Sequence, residues 1–468
     1  MKLKSIAGLA LAAGMLFSCA EKAKEKEKVE VNPYEAQFIE VAENGKMDFQ
    51  VEQFADIKVL RYEIPGFDEL TLKEKKLVYY LTQAGLSGRD IMWDQNYRHN
   101  LTIREALENV YVNYKGDKTS DDWKAFETYI KRVWFSNGIH HHYSNDKIKP
   151  EFAKSYLETL LKDTKTTLTG EALEVIFNDA DNKKVNKKDG VDNVLVSAIN
   201  FYGPDITSAD VEEFYKTAYK GPEGKPVEAG LNSKLVRENG ELVEKVWKSG
   251  GMYGSAIDKI IYWLEKAEGV AENEKQAKTL GLLIDYYKTG SLDTWDQYCI
   301  SWATSTDGNI DWINGFIEVY NDPKGYRGSY ETIVQIKDFD MSKKMAVLSK
   351  EAQWFEDNSP LVDSHKKKNV VGVSYKTVNV AGEAGDASPS TPIGVNLPNN
   401  NWIRQDHGSK SVSLGNIINA YSQAGGSGRL KEFVHDDEEF QLEEKYGKLA
   451  DKLHTALHEV IGHASGDR

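Results

Sequence analysis

Apolar residues recur at helical spacing along most of this chain. Segment 71–88, TLKEKKLVYYLTQAGLSG, has this period and ends at glycines, which are common where helices stop. Segment 255–269, SAIDKIIYWLEKAEG, places its aliphatic residues on one stripe, namely Ile257, Ile260, Ile261 and Leu264. Residues 413–424 and 443–463 show the same period near the end of the chain. We therefore predict a protein in which helices predominate.

The pattern changes to that of a strand after residue 365. Segment 369–385, NVVGVSYKTVNVAGEAG, alternates and is rich in β-branched residues, which predicts a strand. Segment 387–402, ASPSTPIGVNLPNNNW, is rich in Pro, Asn and Ser, which predicts an ordered loop. The predicted fold class is α+β, mostly helical, with a smaller strand-bearing part.

The polar segment 178–190, NDADNKKVNKKDG, follows a predicted helix. Asp179 and Asp181 have the spacing that opens a calcium loop, but Lys183 and Lys184 stand where that loop needs an oxygen ligand and a glycine. We therefore predict a surface loop that does not bind calcium.

The first residues have the pattern of a targeting segment. MKLK is a short basic region, residues 5–17 are apolar or small, and Cys19 ends the tetrapeptide LFSC, which resembles the lipobox of bacterial lipoproteins. We predict a lipoprotein signal peptide at 1–19, with Cys19 lipidated, and a charged linker at 20–33. The alternatives are an ordinary signal peptide or an uncleaved helix, although residues 5–17 are too few to span a bilayer. The predicted location is the bacterial cell envelope, on its periplasmic or outer-membrane face, with a lipid anchor in the membrane.

Composition excludes several classes of partner and site. The net charge of -14 argues against nucleic acid, because phosphate backbones bind Lys/Arg surfaces. Once Cys19 is set aside, Cys299 has no cysteine with which to form an intramolecular disulfide. A cysteine zinc site is excluded for the same reason, so a metal here needs histidine and carboxylate ligands.

The stretch LHEVIGHASGDR at the end of the chain carries candidate metal chemistry. His458, Glu459 and His463 follow the order of a zinc peptidase helix, but in that motif the two histidines are four apart and share one helix face. Here they are five apart, so a regular α-helix separates their directions by about 140°. A single π-type widening beside Gly462 returns both histidines to one face.

In that widened geometry, the imidazoles of His458 and His463 bind Zn²⁺ and Glu459 serves as general base for a water molecule. A third protein ligand, expected to be a carboxylate, has to come from elsewhere. Two alternatives stay open at this point. One is a helix without metal, and the other is an i, i+4 pair of His454 and His458, which lacks a glutamate in the general-base position.

With its extra glycine, the pattern H-E-x-x-G-H resembles the zinc motif of the dipeptidyl peptidase III family. Three further blocks agree with that family in order and spacing. They are GFIEVYNDPKGYRGSYE (315–331), GVNLPNNNW (394–402) and SVSLGN (411–416). The resemblance covers residues 280–468 well and the preceding part only loosely.

The resemblance implies that His458 and His463 are ligands of one zinc ion per chain and that Glu459 is the catalytic base. It also implies that four residues hold the free amino terminus of a peptide, namely Glu318, Tyr320, Asn396 and Asn399. The implied function is a zinc-dependent exopeptidase that releases dipeptides from the N-terminus of short peptides. The alternative is a catalytically inactive peptide-binding lipoprotein on the same scaffold.

One departure from the family concerns the third zinc ligand, which in that family is a glutamate some dozens of residues after the histidines. The sequence ends at Arg468, so we expect this ligand beyond Arg468 and expect the chain to be C-terminally incomplete. In this form it is expected to bind zinc weakly and to hydrolyse little.

The architecture implied by the resemblance is two lobes around a wide cleft, with a strand-containing lower lobe and a helical, zinc-bearing upper lobe. The expected boundaries are 34–345 for the main part of the lower lobe, 346–380 for an upper-lobe segment, 381–425 for a return to the lower lobe and 426–468 for the incomplete start of the zinc-binding part. His140, His141 and His142 are expected to have a cleft-lining or structural role rather than to form a second metal site, because adjacent side chains point in different directions.

Overall fold

The computed structural model describes residues 47–370, 373–458 and 462. Its contacts separate residues 1–48 from residues 49–468, and the elements below belong to the second unit. The strands are β1 (Gln50–Phe54), β2 (Ile57–Leu60), β3 (Ser233–Glu238), β4 (Glu241–Val246), β5 (Ile310–Glu318), β6 (Ser329–Lys337), β7 (Val373–Gly385), β8 (Gly394–Leu397) and β9 (Ser409–Leu414). The helices in the first half are α1 (Leu72–Ser87), α2 (Arg89–Asn96), α3 (Asn100–Asn113), α4 (Asp121–Trp134), α5 (Lys154–Asp163), α6 (Gly170–Phe177) and α7 (Ser208–Thr217).

The remaining helices follow β4. They are α8 (Gly254–Glu268), α9 (Glu274–Thr289), α10 (Leu292–Thr304), α11 (Phe339–Lys350), α12 (Ala352–Asp357), α13 (Asn401–His407), α14 (Gly415–Phe433), α15 (Asp437–Leu442) and α16 (Lys448–Leu457). A 3₁₀ turn lies at Asp363–His365, and a π-helical turn lies at Glu443–Gly447.

The helices predicted at 71–88 and 255–269 are present as α1 and α8, whereas the helix predicted from residue 413 begins at Gly415, because Ser413 and Leu414 belong to β9. The hydroxyl of Thr71 accepts from the backbone N–H of Glu74 at 3.3 Å, and the Glu74 carboxylate accepts from the Thr71 N–H at 2.8 Å, so a capping box starts α1. The stripe Ile257, Ile260 and Leu264 of α8 is fully buried. Both helices thus form because their apolar faces meet the same core.

The main sheet has five strands in the order β5-β6-β7-β9-β8. Neighbouring strands are antiparallel except for the parallel pair β7 and β9. Residues on both faces of β5, β6 and β9 are buried, so the sheet has helices or loops on each side. The strand predicted for 369–385 is confirmed from Val373 onward as β7, while Asn369 and Val370 lie outside it.

The loop predicted for residues 387–402 is only partly right. Residues 394–397 form β8, where Val395 lies opposite Val412 of β9, and α13 begins at Asn401. The composition rich in Pro and Asn hid this short strand, because its backbone hydrogen bonds come from β9, a segment that sequence reasoning did not pair with it.

The predicted surface loop at 178–190 is a loop, but part of it is not at the surface. Lys184 is 2% exposed and Val185 is 6% exposed. The backbone N–H of Lys184 donates to the carbonyl of Asn145 at 2.7 Å, and its carbonyl accepts from Ile199 at 3.0 Å. These bonds hold the middle of the polar segment in a buried position. The lysine-rich composition of the segment did not predict this burial.

Two hydrophobic clusters support these elements. The larger one joins the main sheet to α1, α8, α9 and α10, and the second gathers buried residues of α2 to α6 such as Leu107 and Phe126. Asn137, which follows α4, donates to the carbonyls of Gly385 at 3.2 Å and Ser388 at 2.5 Å and so ties the second cluster to the end of β7. Among the described residues, no helix has the length and apolar character needed to cross a membrane.

Candidate functional site

A cavity of about 820 Å³ opens at the end of the main sheet where β5 and β8 stop. Four of its lining residues are those predicted to hold a peptide amino terminus: Glu318, Tyr320, Asn396 and Asn399. The structure therefore brings these four together, although they come from two segments about 80 positions apart in the sequence.

Glu318 ends β5 beside an irregularity in strand pairing. Phe316 lies opposite Tyr330, but Glu318 lies opposite Ser329, so β5 carries one extra residue at this point. Such bulges turn a side chain away from the regular alternation and are common beside functional sites. Here the bulge leaves Glu318 on the cavity wall.

Two side chains contact the Glu318 carboxylate. The Nδ2 group of Asn399 donates to Glu318 Oε2 at 3.3 Å, and the hydroxyl of Tyr320 also forms a hydrogen bond with Glu318. Burial raises the pKa of Glu318, and these hydrogen bonds oppose that rise. Asn399 uses Nδ2 in this bond. Its side-chain amide oxygen can therefore accept a hydrogen bond from a ligand.

Asn396 is held by partners on both ends of its amide. The guanidinium of Arg404 donates to Asn396 Oδ1, and Asn396 Nδ2 donates to the hydroxyls of Ser411 and Ser409, the latter at 3.4 Å. Arg404 of α13 lines the cavity as well. Sequence analysis did not identify Arg404. Its position two residues after the block 394–402 was the available signal.

Two more carboxyl groups face this cavity and were not predicted. Glu331 of β6 is 7% exposed, and its pKa is raised well above its ordinary value, mainly by burial and then by the neighbouring charges of Asp386 and Glu318. Asp386 follows β7. Burial also raises its pKa, while the charge of Lys184 and a contact with Asn321 Nδ2 at 3.4 Å lower it. Its position at the end of the block 315–331 was the sequence signal for Glu331.

Three carboxyl groups in one cavity suit a positively charged ligand. Among the described residues, however, no three Asp, Glu, His or Cys side chains are placed to hold a metal ion together. An ammonium group, which has a positive charge and several hydrogen-bond donors, is one ligand that suits buried carboxyl groups.

The three consecutive histidines have different surroundings. His140 is buried, its Nε2 lies 2.7 Å from the carbonyl oxygen of Asp181, and burial lowers its pKa to about 4. His141 accepts from the backbone N–H groups of Tyr143 and Ser144 through Nδ1, both at 3.2 Å. His142 lines the cavity and stacks on the His141 ring at 4.5 Å.

The turn between Glu318 and β6 is held by a fully buried arginine. The guanidinium of Arg327 donates to the hydroxyls of Tyr202 at 2.9 Å and Tyr215 at 2.7 Å, and it lies over the Tyr202 ring at 4.3 Å. Its charge partner Asp322, at 3.8 Å, is equally buried and accepts from the backbone N–H of Arg327 at 2.8 Å. This network fixes the path of the chain from β5 to β6 and hence the cavity edge.

Sequence comparison shows the family to which this chain belongs. Residues 225–467, more than half of the chain, match the model described as Peptidase family M49. The chain belongs to peptidase family M49. It is 32% identical over 216 residues to dipeptidyl peptidase 3 of Nematostella vectensis, covering 46% of this chain and 28% of that protein. It is 24% identical over 430 residues to dipeptidyl peptidase 3 of Dictyostelium discoideum, covering 86% of this chain and 60% of that protein.

The M49 chain also has a structural neighbour. The DPP III structure from Caldithrix abyssi superposes with a TM-score of 0.62 at 23% identity, covering 85% of this chain and 64% of that one. The likeness supports the mixed helix and sheet fold. The matched parts make up 28%, 60% and 64% of these three relatives, so the chain spans less than two thirds of the length of each.

The residues predicted to hold zinc lie at the edge of the described chain. His458 is exposed, and both His458 and Gly462 have π-helical backbone. A Cβ atom placed on Gly462 would lie 3.9 Å from His458 Nδ1. The widened turn is therefore present at these two positions. Glu459, His463 and Cys19 lie outside the described residues, so their predicted roles stay predictions.

Replacing Arg327 with Met should destabilise the protein by about 3–5 kcal/mol, because it leaves Asp322 buried without its charge partner. Urea unfolding followed by fluorescence measures the change. Lys324→Met is the matched control, since Lys324 stands in the same turn and pairs with the exposed Glu212 at 2.6 Å. It should cost less than about 1 kcal/mol. Equal losses for the two variants would contradict the role assigned to the Arg327 network.

Proposed function

We propose that this protein is a zinc-dependent exopeptidase that releases dipeptides from the free N-terminus of short peptides. Membership of peptidase family M49 supports a peptidase, and the relatives named dipeptidyl peptidase 3 support this specificity. The observation that carries the proposal is the Glu318–Asn399 pair on the wall of the 820 Å³ cavity.

The cavity can distinguish an amino terminus from other groups by charge and by hydrogen bonds. An α-ammonium group carries one positive charge and three donors, which match the Glu318 carboxylate, the free carbonyl oxygen of Asn399 and the second lone pair of Asn396 Oδ1. An acetylated terminus has no charge and one donor. The two acceptors it leaves unused would be buried without partners, which makes its binding unfavourable.

The proposed chemistry requires a metal near residues 458–463, which follow α16 in the sequence. His458 and His463 would supply neutral imidazole ligands, and the third would be a carboxylate. When bound, zinc lowers the pKa of a water molecule and polarises a carbonyl group. Glu459 would accept the proton of the attacking water. If Glu318 holds the amino terminus at a fixed distance from the metal, the second peptide bond would lie at the metal, and its cleavage would release two residues.

We also propose that the protein is anchored to the bacterial cell envelope by a lipid on Cys19. The basic start, the short apolar region and the LFSC tetrapeptide support this proposal. The anchor would hold the cavity near a membrane through the charged linker 20–33.

Glu318→Gln should weaken the binding of a free tetrapeptide about 10- to 100-fold, because one charged hydrogen-bonded contact is lost. Calorimetric titration, with a chelator present to stop hydrolysis, measures this change. Glu265→Gln is the control, since it removes a half-exposed carboxylate of α8. Wild-type protein should bind the N-acetylated peptide as weakly as the variant binds the free one. Equal affinity of the wild type for both peptides would refute recognition of the amino terminus. Selective binding without zinc-dependent hydrolysis of dipeptidyl arylamides, in a version extended past Arg468, would instead favour the inactive peptide-binding protein.

His458→Ala should lower zinc affinity at least about tenfold, because one of a small number of protein ligands is removed. His454→Ala, four residues earlier on α16, is the matched control and should bind zinc like the wild type. Competition against a chromophoric chelator measures both affinities. A loss of the same size in both variants would support the i, i+4 pair and contradict the proposed ligands.

Cys19→Ser should abolish lipid attachment and move the protein from the membrane fraction to the soluble fraction of the envelope, because its acyl chains supply the anchor. Incorporation of labelled fatty acid and mass measurement of the mature N-terminus test this. Identical fractionation of both forms, without label, would show that Cys19 carries no lipid.

A further inference from the structure

A lysine and an asparagine from neighbouring segments meet beside a carboxylate. Residues 201–203 run parallel to β3, where Tyr202 pairs with Leu235. Directly before this pairing, Asn200 is 7% exposed, and its Oδ1 accepts from the ammonium group of Lys234 on β3. Backbone pairing therefore holds these two side chains next to each other.

The carboxylate of Asp94 on α2 holds the amide of this asparagine at its other end. Asp94 Oδ2 accepts from Nδ2 of Asn200 at 3.0 Å and from the hydroxyl of Tyr253 at 2.5 Å. The Asn200 amide thus has its oxygen at an amine and its nitrogen at a base. The described lining of the cavity beside Glu318 includes neither these residues nor Lys234, so the cluster lies elsewhere in the fold.

The three groups have the chemistry of an intramolecular amide exchange. In such a reaction an uncharged amine attacks the carbon of an amide, and a carboxylate transfers the protons. Burial lowers the pKa of Lys234, while the charge of Asp94 opposes this shift. A lowered pKa increases the uncharged, nucleophilic fraction of Lys234. The carbon to be attacked is one bond from the Asn200 Oδ1 atom that Lys234 contacts.

We propose that Lys234 and Asn200 form an isopeptide bond, with Asp94 as the proton carrier. After the ammonium group has lost one proton to solvent, the Lys234 nitrogen attacks Cγ of Asn200 and a bond forms between Nζ and Cγ. Asp94 accepts a second proton from this nitrogen and passes it to Nδ2 of Asn200. The Cγ–Nδ2 bond breaks and ammonia leaves, so the product is a secondary amide and no group is oxidised or reduced.

The bond closes a covalent ring that contains residues 200–234 and the whole of α7. A backbone cut inside this ring, for instance in the exposed segment 222–226, leaves the two pieces attached to each other. The ring also restricts the unfolded chain in the way that a disulfide does. The cross-link thus protects this part of the fold in a chain where Cys299 has no disulfide partner among the described residues.

A second lysine–asparagine contact in the molecule lacks the carboxylate. The ammonium group of Lys147 donates to Asn178 Oδ1 at 3.2 Å and to the carbonyls of Val175 at 2.9 Å and Ala180 at 2.7 Å. Within the described part of the chain, no carboxylate accepts from Nδ2 of Asn178. This pair has no proton carrier and should stay non-covalent, which makes it an internal control.

Tryptic peptide mapping of the full chain after denaturation tests the bond. Trypsin cleaves after lysine and arginine but not after an acylated lysine, so a branched product should join residues 189–216 to residues 221–237. Its mass should be about 17 Da below the sum of the two peptides, the mass of the lost ammonia. Separate peptides of unchanged mass, with cleavage after Lys234, would overturn the inference without any variant being needed.

Variants test the role of the carboxylate. Asp94→Ala should slow the formation of the bond about 100-fold or more, so that freshly purified protein gives mainly unlinked peptides. Asp90→Ala, on the same helix, is the matched control, since Asp90 pairs with Arg104 at 2.8 Å and should leave the linkage unchanged. Lys234→Arg should give no branched product.

Two results would contradict the part assigned to Asp94. One is full linkage in Asp94→Ala, and the other is a branched peptide that joins Lys147 to Asn178, because either would mean that contact alone is sufficient. If Asp94→Ala does not fold, as shown by its thermal transition, the comparison of the two lysine–asparagine pairs in the wild type still decides the question.

Discussion

The structure depends on keeping several carboxyl groups buried in one cavity. Transfer of a carboxylate out of water is unfavourable by several kcal/mol unless hydrogen bonds or opposite charges compensate it. At Glu318 the compensation comes from Asn399 and Tyr320, and at Asp386 it comes from Asn321 and the charge of Lys184. Glu331 is buried as well, and its pKa is raised well above its ordinary value.

The fold supplies this cavity through a sheet that is covered on both faces. Because β5 and β6 are buried, their ends are fixed, and the bulge before Glu318 turns one carboxylate toward the opening. The buried pair of Arg327 and Asp322 holds the intervening turn. Asn137 ties the helical part of the chain to the end of β7, and His142, five residues later, lines the cavity. A rigid setting of this kind is what recognition of a small charged group requires.

Local patterns predicted the long elements but not the contacts made across the fold. The helical spacing of apolar residues was sufficient to predict α1 and α8, and the alternation of residues was sufficient to predict β7. These elements form where one face or both faces are apolar. The strand β8 was missed because its pairing partner β9 is a separate segment, and no local signal marks Val395 as opposite Val412. Lys184 was assigned to the surface because its neighbours in sequence are polar, and its burial follows from bonds to Asn145 and Ile199. The family resemblance of blocks 315–331 and 394–402 identified Glu318, Tyr320, Asn396 and Asn399 as site residues. Glu331, at the end of the first block, and Arg404, just after the second, were recognised only from the structure.

A structure of the chain with a bound short peptide tests the central claim most directly. The account predicts the peptide α-ammonium within hydrogen-bond distance of Glu318 and of the Asn399 carbonyl oxygen, with the rest of the peptide running away from the sheet. A peptide bound in the opposite direction, or with its amino group in solvent while its carboxylate occupies the cavity, would contradict it.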